Sequence, residues 1–391
     1  MSLLEDLRKQ LQAEMTSWRR DIHQFPETAF EEVRTAAKVA ELLRSFGMDV
    51  HEGLAKTGVV GTLKVGTGNR AIGLRADMDA LDLQELNEFD HKSNLDGKMH
   101  ACGHDGHTAM LLGAAKFLSE HKGFDGTVHF IFQPAEENEA GGRVMVEDGL
   151  FEMFPVEGVY GMHNWPGLDV GKFAVCEGPM MASADFFELT ITGTGGHGAM
   201  PHHSRDPIIA GSQIVNAWQT IVSRSLDPMK AAVISVTQFN SGFATNVIPE
   251  QAVLKGTVRT FDEKVQDQIE ANMQRVVDGI CRSQDVSADF KFVRKYAPTI
   301  NSPEETGYAV AAARALVGHD NVNDSVTPVM GSEDFGWMLR ERPGCYIFLG
   351  NGTGSEGGCM VHNPNYDFND NAAPVGAAYW VELVRSLLPE S

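Results

Sequence analysis

Residues 99–107, MHACGHDGH, gather more potential metal ligands than any other short stretch of the chain. Cys102 and His104 are separated by one glycine, so a tight loop would let both side chains converge. A thiolate and an imidazole together are good ligands for a borderline-soft divalent metal. The alternative is an ordinary helix start, with Asp105 as the cap and the histidines partly solvated.

A second cluster is QPAEEN, in which Glu136 and Glu137 follow a strand and Pro134. Consecutive side chains of an extended segment point in different directions. One carboxylate would then bind a metal while the other faces the substrate as a general base. The alternative is a solvated acidic loop, which is the commoner situation for an isolated pair of glutamates.

Two further histidines follow or interrupt apolar runs: His163 in GMHNWP and His362 in MVHNPNYDF. A single histidine is more often structural than a ligand. Their occurrence together with the first two clusters, however, favours a common functional site over four separate structural roles.

The elements around these clusters predict a layered α/β structure. Residues 4–46 have helical spacing, interrupted near Pro26, and the β-branched runs TGVVGTLKVG and AIGLRADMD are separated by the turn GTGN. A helix, HTAMLLGAAKFLSEH, and a strand, TVHFIFQ, follow. This alternation is typical of α/β layers, in which ligand groups gather at the carboxyl ends of strands. Asp77, Asp79, Glu136 and Glu137 all lie at such ends.

The pattern changes at residue 184, where ADFFELTIT alternates strictly between apolar and polar residues. Strands and helices then follow in the order β-α-β-β-α-β, which is the ferredoxin-like split pattern. The sequence therefore predicts a large α/β domain of residues 1–183 and 298–391. A smaller domain of residues 184–297 would be inserted into it.

Composition excludes several classes of function. The chain has 391 residues with 32 Lys and Arg against 53 Asp and Glu, a net charge of −21, so nucleic acid and anionic membranes are unsuitable partners. Five widely spaced cysteines do not suggest a disulfide framework. The amino-terminal segment is charged and amphipathic, and no long apolar run is present. We therefore expect a cytoplasmic protein whose metals are catalytic.

The chain as a whole resembles the di-metal amidohydrolases that include hippurate hydrolase, N-acyl-amino-acid amidohydrolases and auxin-conjugate (indole-acetyl-amino acid) hydrolases. This family is related to aminoacylase and to carboxypeptidase-like di-zinc peptidases. The motifs that carry the resemblance are, in order, RRDIHQFPETAFEE, LRADMDAL, MHACGHDGHTAMLLGAA, FQPAEE, GMHNWP, TGTGGHGAMPH, TNVIPE, TVRTFD, GSEDF and VHNPNYDFND.

The resemblance implies a role for each matching residue. It makes Glu136 the general base, Asp79 a group that orients a ligand, and His197 a residue that reaches the active site of a partner subunit. It places Asn246 near the substrate, and Arg259 is a candidate partner for a substrate carboxylate or for a salt bridge on the strand surface. The implied metal ligands are Cys102 as the bridge between two metals, His104, Glu137, His163 and His362.

It also implies a mixed-sheet di-metal catalytic domain with an inserted ferredoxin-like domain for dimerisation. The two divalent metals would be Zn, Mn, Co or Ni, and the chain would form a homodimer or higher oligomer. The implied reaction cleaves a small N-acyl amino acid into a carboxylic acid and an amino acid. The alternatives are a dipeptidase or aminopeptidase, and a non-catalytic binder of amino-acid conjugates.

Other residues remain less defined by the sequence. His100 and His107 flank the ligand cluster and would either support a ligand or be ordinary loop and helix residues. In GSEDF, Glu333 and Asp334 would support the metal site or cap a helix. The remaining cysteines are expected to be buried thiols. They are Cys176, Cys281, Cys345 and Cys359.

Overall fold

The computed structural model describes residues 2–390, which divide into two units. The second unit consists of Met181–Thr299 and Pro328–Glu333, and the first unit contains the rest of the described chain. The segment expected to be inserted, 184–297, lies within the second unit. The short piece at 328–333 was not expected there, because nothing in its composition separates it from its neighbours.

The first unit is built on an eight-stranded mixed sheet, as expected of an α/β fold. Four neighbouring strands at its centre are parallel, so their carboxyl ends lie at one edge. In spatial order these four are Gly126–Gln133, Ala71–Asp77, Gly158–Pro166 and Gly344–Gly352. The outer strands are Asp49–Leu54 and Gly58–Val65 on one side, and Phe173–Ala174 and Val322–Asn323 on the other.

Helices of the first unit bury one face or, in the case of His104–His121 and Ala373–Leu387, most of their surface. The helix Leu3–Gln24 buries residues spaced three or four apart, from Leu7 to Ile22, and begins with a capping box between Ser2 and Glu5. The helix His104–His121 is almost entirely buried. The others are Val33–Ser45, Glu136–Glu139, Gly141–Glu147, Leu150–Met153, Pro303–Val317, Gly336–Glu341 and Ala373–Leu387, with a 3-10 turn at His319–Asn321.

The second unit contains a four-stranded antiparallel sheet with two long helices, Pro207–Thr220 and Glu263–Gln284. The sheet order is Ala232–Ser241, Gln251–Thr260, Ala184–Thr192 and Ser287–Tyr296. This is the β-α-β-β-α-β arrangement that the sequence predicts. The alternation in Ala184–Thr192 is confirmed, because Phe187, Leu189 and Ile191 are buried in a core with Trp218 of the first helix.

Short elements complete the second unit. A π-helical turn, Ile221–Ser225, extends the first long helix, and a 3-10 turn occupies Pro201–His203. The two-residue strands Gly196–His197 and Val247–Ile248 pair in antiparallel fashion. The strands Gly178–Met181 and Thr299–Asn301 lie where the chain passes from one unit to the other. Among residues 2–390, we find no helix with the length and apolar character that a bilayer span requires.

Candidate metal centre

Seven of the ten predicted site residues lie in the first unit, at the carboxyl edge of the parallel strands. Asp79 follows the strand Ala71–Asp77, Glu136 and Glu137 follow Gly126–Gln133, and His163 lies within Gly158–Pro166. The other three are Cys102, in the loop before the helix His104–His121, His104, at the start of that helix, and His362, in the loop after the strand Gly344–Gly352. The sheet therefore collects residues that are far apart in the sequence.

Cys102, His104 and His163 form the buried part of the cluster, and their ligand atoms all lie within 4.8 Å of one another. The Sγ atom of Cys102 is 3.3 Å from Nε2 of His163. The Nδ1 atom of His163 is 2.6 Å from the carbonyl oxygen of Asn164 and must therefore carry a proton to donate there. The remaining nitrogen of His163 presents a lone pair to the thiol.

Glu137 and His362 form the more open part. The Nε2 atom of His362 is 3.1 Å from Oε1 of Glu137, and both residues offer ligand atoms within 4.8 Å of the Cys102 sulfur. The backbone N–H of His362 donates to the carbonyl of Ala101 at 2.7 Å, which ties the two loops together. His362 has a φ of 63°, an uncommon conformation for a residue with a Cβ, and such strain concentrates at functional sites.

The extended conformation expected for Glu136 and Glu137 is wrong. Ala135 adopts a left-handed conformation, with φ 54° and ψ 42°, and the two glutamates begin the short helix Glu136–Glu139. Their two carboxylates nevertheless lie in different surroundings. The Oε1 atom of Glu136 accepts the backbone N–H of Asp334 at 3.3 Å, and Glu136 is only 5% exposed.

Asp334 supports this segment rather than offering a cap to a long helix. Its carboxylate accepts hydrogen bonds from the backbone N–H of Gly142 at 2.7 Å and from the side chain of Gln133 at 2.8 Å. It therefore ties the end of the strand Gly126–Gln133 to the helix Gly141–Glu147, and the Glu136 turn is held between them. Of the two sequence alternatives for Asp334, support of the site is favoured.

Asp79 contacts two of the candidate ligands. The Nδ1 atom of His104 lies 2.9 Å from the carbonyl oxygen and 3.1 Å from the carboxylate of Asp79, while the N–H of Glu137 donates to the other carboxylate oxygen at 3.0 Å. Because Nδ1 faces only acceptors, it carries the proton. The buried Nε2 atom of His104 has no hydrogen-bond partner within residues 2–390 and is available as a ligand.

Sequence reasoning did not foresee the role of Asn164, and it placed Asp77 at the ligand-bearing edge of the sheet without assigning it a role. Asp77 accepts a hydrogen bond from Nδ1 of His107 at 2.6 Å, and Nε2 of His107 accepts the N–H of Asn164 at 2.9 Å. Both ring nitrogens of His107 are thus used, so this histidine supports the site and is unsuited as a ligand. The side chain of Asn164 in turn donates to the carbonyl of Cys102 at 2.6 Å. Adjacency to His163 is the one signal in the sequence that marks Asn164.

The electrostatics of the cluster favour a bound cation. Burial, together with Glu137 and other carboxylates, raises the pKa of the Cys102 thiol well above its usual value. Burial alone would lower the pKa of His104, but Asp77, Asp79 and Glu137 outweigh it and raise that pKa to about 10. A divalent cation would supply the missing positive charge and stabilise the thiolate. The sulfur, imidazole and carboxylate donors, with a buried unpaired imidazole nitrogen, fit such an ion.

The other three predicted residues lie in the second unit. His197 is exposed in the strand Gly196–His197, and Asn246 is exposed beside it, because the N–H of Gly198 donates to the Asn246 carbonyl at 2.8 Å. Arg259 is half-buried in the strand Gln251–Thr260, with its guanidinium 5.9 Å from the centre of the Phe186 ring. The structure therefore places His197 and Asn246 side by side, at the antiparallel pair formed by Gly196–His197 and Val247–Ile248.

Comparison with known proteins identifies relatives along the entire chain. A model of the peptidase family M20/M25/M40 matches residues 73–386. The hippurate hydrolase of Campylobacter jejuni is 42% identical over 378 residues, which cover 97% of this chain and 97% of that protein. An N-acyl-L-amino acid amidohydrolase of Geobacillus stearothermophilus is 44% identical over 311 residues, covering 78% and 84% of the two chains.

A solved structure gives the same picture. The Bacillus subtilis protein described as a dinuclear metal-binding peptidase of the M20 family superposes with a TM-score of 0.85 and 35% sequence identity. The superposition covers 97% of this chain and 99% of that one. The mixed-sheet α/β fold expected from the sequence is therefore confirmed.

Proposed function

The chain belongs to the peptidase family M20/M25/M40, and from this premise we propose that it hydrolyses the amide bond of N-acyl amino acids with the help of two divalent metal ions. The products would be a carboxylic acid and a free amino acid. The names of the hippurate hydrolase and the N-acyl-L-amino acid amidohydrolase, which are 42% and 44% identical to this chain, support this substrate class.

The observation that carries the proposal is the pairing of Glu136 with Glu137 in one helical turn. An oxygen of each lies within 4.8 Å of a ring nitrogen of His104, yet Glu137 also contacts His362, whereas Glu136 accepts the backbone N–H of Asp334 at 3.3 Å. A protein that only binds a ligand has no need of a second, buried carboxylate beside the ligand set. A hydrolase needs one as a base.

We assign the metal-holding role to five residues of the first unit. Their donors are one sulfur, three imidazole nitrogens and one carboxylate, which suit Zn, Mn, Co or Ni. When bound, divalent cations of this kind supply Lewis acidity, which polarises a carbonyl group and makes water more acidic. The five residues are Cys102, His104, Glu137, His163 and His362.

Glu136 would take the proton from the attacking water and later deliver it to the departing amine, acting first as a base and then as an acid. The buried position of its carboxylate keeps bulk water from competing for that proton. Asp79 would hold His104 in the tautomer that leaves Nε2 free.

The second unit would complete the site of a partner subunit. We propose that His197 donates a hydrogen bond to the scissile carbonyl oxygen, in the manner of an oxyanion hole, and that Asn246 and Arg259 contact the substrate. In this scheme residues 184–297 form the dimerisation domain and residues 1–183 and 298–391 the catalytic domain. The reducing cytoplasm would keep Cys102 as a thiol.

The test is a hydrolysis assay on a panel of N-acetyl, N-benzoyl and indole-acetyl amino acids together with dipeptides. Protein reconstituted with Zn, Mn, Co or Ni should release free amino acid from at least one acyl amino acid, and chelation should abolish the release. Cleavage of dipeptides alone would favour a dipeptidase. Binding of acyl amino acids without turnover in any metal form would favour a non-catalytic binder.

A further inference from the structure

The carboxylate of Glu32, in the motif ETAFEE, is fully buried and joins three separate segments of the first unit. Its Oε1 atom accepts the backbone N–H of Phe30 at 3.0 Å and the backbone N–H of Ala135 at 3.0 Å. Its Oε2 atom accepts the hydroxyl of Thr57 at 2.6 Å. A buried carboxylate is costly unless its oxygens accept hydrogen bonds, so the three hydrogen bonds to Glu32 indicate a specific role for it.

The three segments share an unusual backbone conformation. Phe30, Lys56 and Ala135 all have positive φ, at 63°, 70° and 54°, although each carries a Cβ. Phe30 and Ala135 donate to Glu32 directly, and Lys56 precedes Thr57 and places its ammonium 4.7 Å from the centre of the Phe30 ring. L-amino acids avoid this conformation, so each turn needs an external contact to hold it. Glu32 supplies that contact to the positive-φ residue itself at Phe30 and Ala135, and to the following residue, Thr57, at the third turn.

Only one of these turns leads into the metal centre. Ala135 is the residue between the end of the strand Gly126–Gln133 with Pro134 and the helix Glu136–Glu139. Its φ and ψ therefore set the direction in which the next two side chains leave the strand. If Ala135 relaxed to an extended conformation, Glu136 and Glu137 would point elsewhere.

The opposite side of the same turn is held by other groups. Asp79 accepts the N–H of Glu137, and the N–H of Asp334 donates to Glu136. Those contacts act on the glutamates themselves, after the turn has been made. Glu32, in contrast, accepts the N–H of Ala135 itself, so it holds the left-handed residue that precedes the two glutamates in the chain.

We propose that Glu32 is a positioning residue for Glu136, which acts by holding Ala135 in its left-handed conformation. The claim deepens the proposed function, on which its kinetic readout rests. It predicts that replacing Glu32 disturbs turnover without removing any group that touches substrate or metal. Loss of such a supporting partner typically lowers activity by about 10- to 100-fold.

The first experiment compares Glu32→Met, which keeps the buried volume but has no acceptor, with Glu32→Gln. The Gln amide oxygen can still accept both N–H groups, and its NH₂ group can donate to the Thr57 hydroxyl. At saturating metal we expect kcat of Glu32→Met to fall about 10- to 100-fold with little change in KM, and Glu32→Gln to retain most of the activity. A kcat of Glu32→Met close to wild type would overturn the proposal.

Glu27 offers a matched control from the same segment of the chain. Its carboxylate accepts the backbone N–H groups of Arg34 and Thr35, at 2.9 and 2.8 Å, where the helix Val33–Ser45 begins. Glu27→Ala removes a comparable pair of bonds without touching Ala135. We expect its kcat to remain close to wild type. An equal fall in both variants would show a general loss of stability and would contradict a positioning role.

The decisive measurement is rescue by glycine, which adopts a positive φ without the Cβ penalty. Adding Ala135→Gly to Glu32→Met should restore a substantial part of the lost kcat, because glycine adopts the left-handed conformation without the hydrogen bond to residue 32. A merely structural role for Glu32 would not be relieved by this second change. Absence of any rescue would overturn the proposal.

An independent readout separates this proposal from the proposed function. Hydrogen exchange of the Ala135 amide, measured without substrate, should be faster in Glu32→Met than in wild type and unchanged in Glu27→Ala. Unchanged exchange in Glu32→Met would overturn the positioning role even if wild type hydrolyses acyl amino acids. Faster exchange would support it even if wild type hydrolyses none, in which case the proposed function alone fails.

Discussion

The carboxylate of Asp79 lies 3.1 Å from Nδ1 of His104, and the carbonyl oxygen of the same residue lies 2.9 Å from that nitrogen. Two acceptors on one side of the ring hold a proton on Nδ1, so Nε2 is the nitrogen left to bind a metal. The second carboxylate oxygen accepts the N–H of Glu137. One side chain thus orients two candidate ligands that are 33 positions apart in the sequence.

The first prediction concerns Asp79→Asn. Both neighbours of the carboxylate are donors, and an amide has only one acceptor atom, so one of the two hydrogen bonds must be lost. We expect metal affinity to fall about 10- to 100-fold, measured by competition with a chelating dye. Asp82→Asn, at an exposed position of the same loop, is the control. Equal affinity in all three proteins would show that Asp79 does not orient the ligands.

The second prediction compares two glycines with positive φ. A Cβ at Gly103 would lie 2.2 Å from the Asn164 side-chain nitrogen and 2.4 Å from the Tyr366 hydroxyl, whereas a Cβ at Gly97 meets nothing within 4 Å. Both alanine variants are destabilised because alanine disfavours a positive φ. Only Gly103→Ala also displaces the Asn164 side chain, which donates to the Cys102 carbonyl. We expect Gly103→Ala alone to lose bound metal, as determined by elemental analysis. Full metal content in Gly103→Ala would contradict this account of the loop.

Much of this site could be predicted from local sequence. The spacing of Cys102 and His104 and the position of Glu136 and Glu137 after a strand are short-range patterns, and the structure brings these residues together. The prediction of an extended conformation for the two glutamates was wrong, because nothing in the local sequence marks Ala135 as a left-handed residue. Its conformation depends on Glu32, which lies about a hundred residues earlier, and no local pattern contains such a contact.

The same limit applies to the buried histidines near the site. The sequence leaves His107 open between supporting a ligand and being an ordinary helix residue, and the choice depends on Asp77 and Asn164, which occupy its two nitrogens and come from two different strands. The interpretation of partly solvated histidines at a capped helix start is wrong. His104 and His107 are buried, and Asp105 binds Nδ1 of His23 at 2.8 Å instead of capping the helix.

The third prediction tests the role of His197 across subunits. Chains with Glu136→Gln and chains with His197→Ala should each be nearly inactive. If His197 serves a partner's site, a mixed dimer contains one site with both native residues. Unfolding and refolding an equal mixture should then restore about a quarter of the wild-type activity, since half the dimers are mixed and half their sites are complete. No recovery in dimers shown to be mixed would place His197 elsewhere.

The fourth prediction concerns pH and stability in the second unit. Burial raises the pKa of Asp185 to about 6, although Gln266 and Ser183 donate to its carboxylate. A carboxyl whose pKa is raised by folding stabilises the folded state at pH values below its pKa in the unfolded chain. This stabilisation is lost as pH rises through about 6, the pKa in the folded state. The stability of Asp185→Asn relative to wild type should therefore increase between about pH 4 and pH 7, by about 3 kcal/mol at most.

Thermal unfolding at several pH values measures this gain. The difference in midpoint between Asp185→Asn and wild type should grow with pH up to about 7 and then level off. The exposed Asp289, which lies in the same sheet, provides the control. Its Asn variant should follow wild type at all pH values. A constant difference for Asp185→Asn across the range would mean that this carboxyl does not titrate as described.

The central claim is that Glu136 is the base of a metal-dependent hydrolase, and Glu136→Gln tests it most directly. The Gln amide oxygen can keep the hydrogen bond from the Asp334 N–H, so the fold around it should persist. Glu139→Gln, at an exposed position of the same short helix, is the control.

The measurement is kcat for a hydrolysed acyl amino acid, taken together with the number of metal ions bound per chain. We expect Glu136→Gln to lose at least about 100-fold in kcat while its metal content equals that of wild type, and Glu139→Gln to match wild type in both. Turnover by Glu136→Gln close to the wild-type rate, with metals bound, would contradict the account.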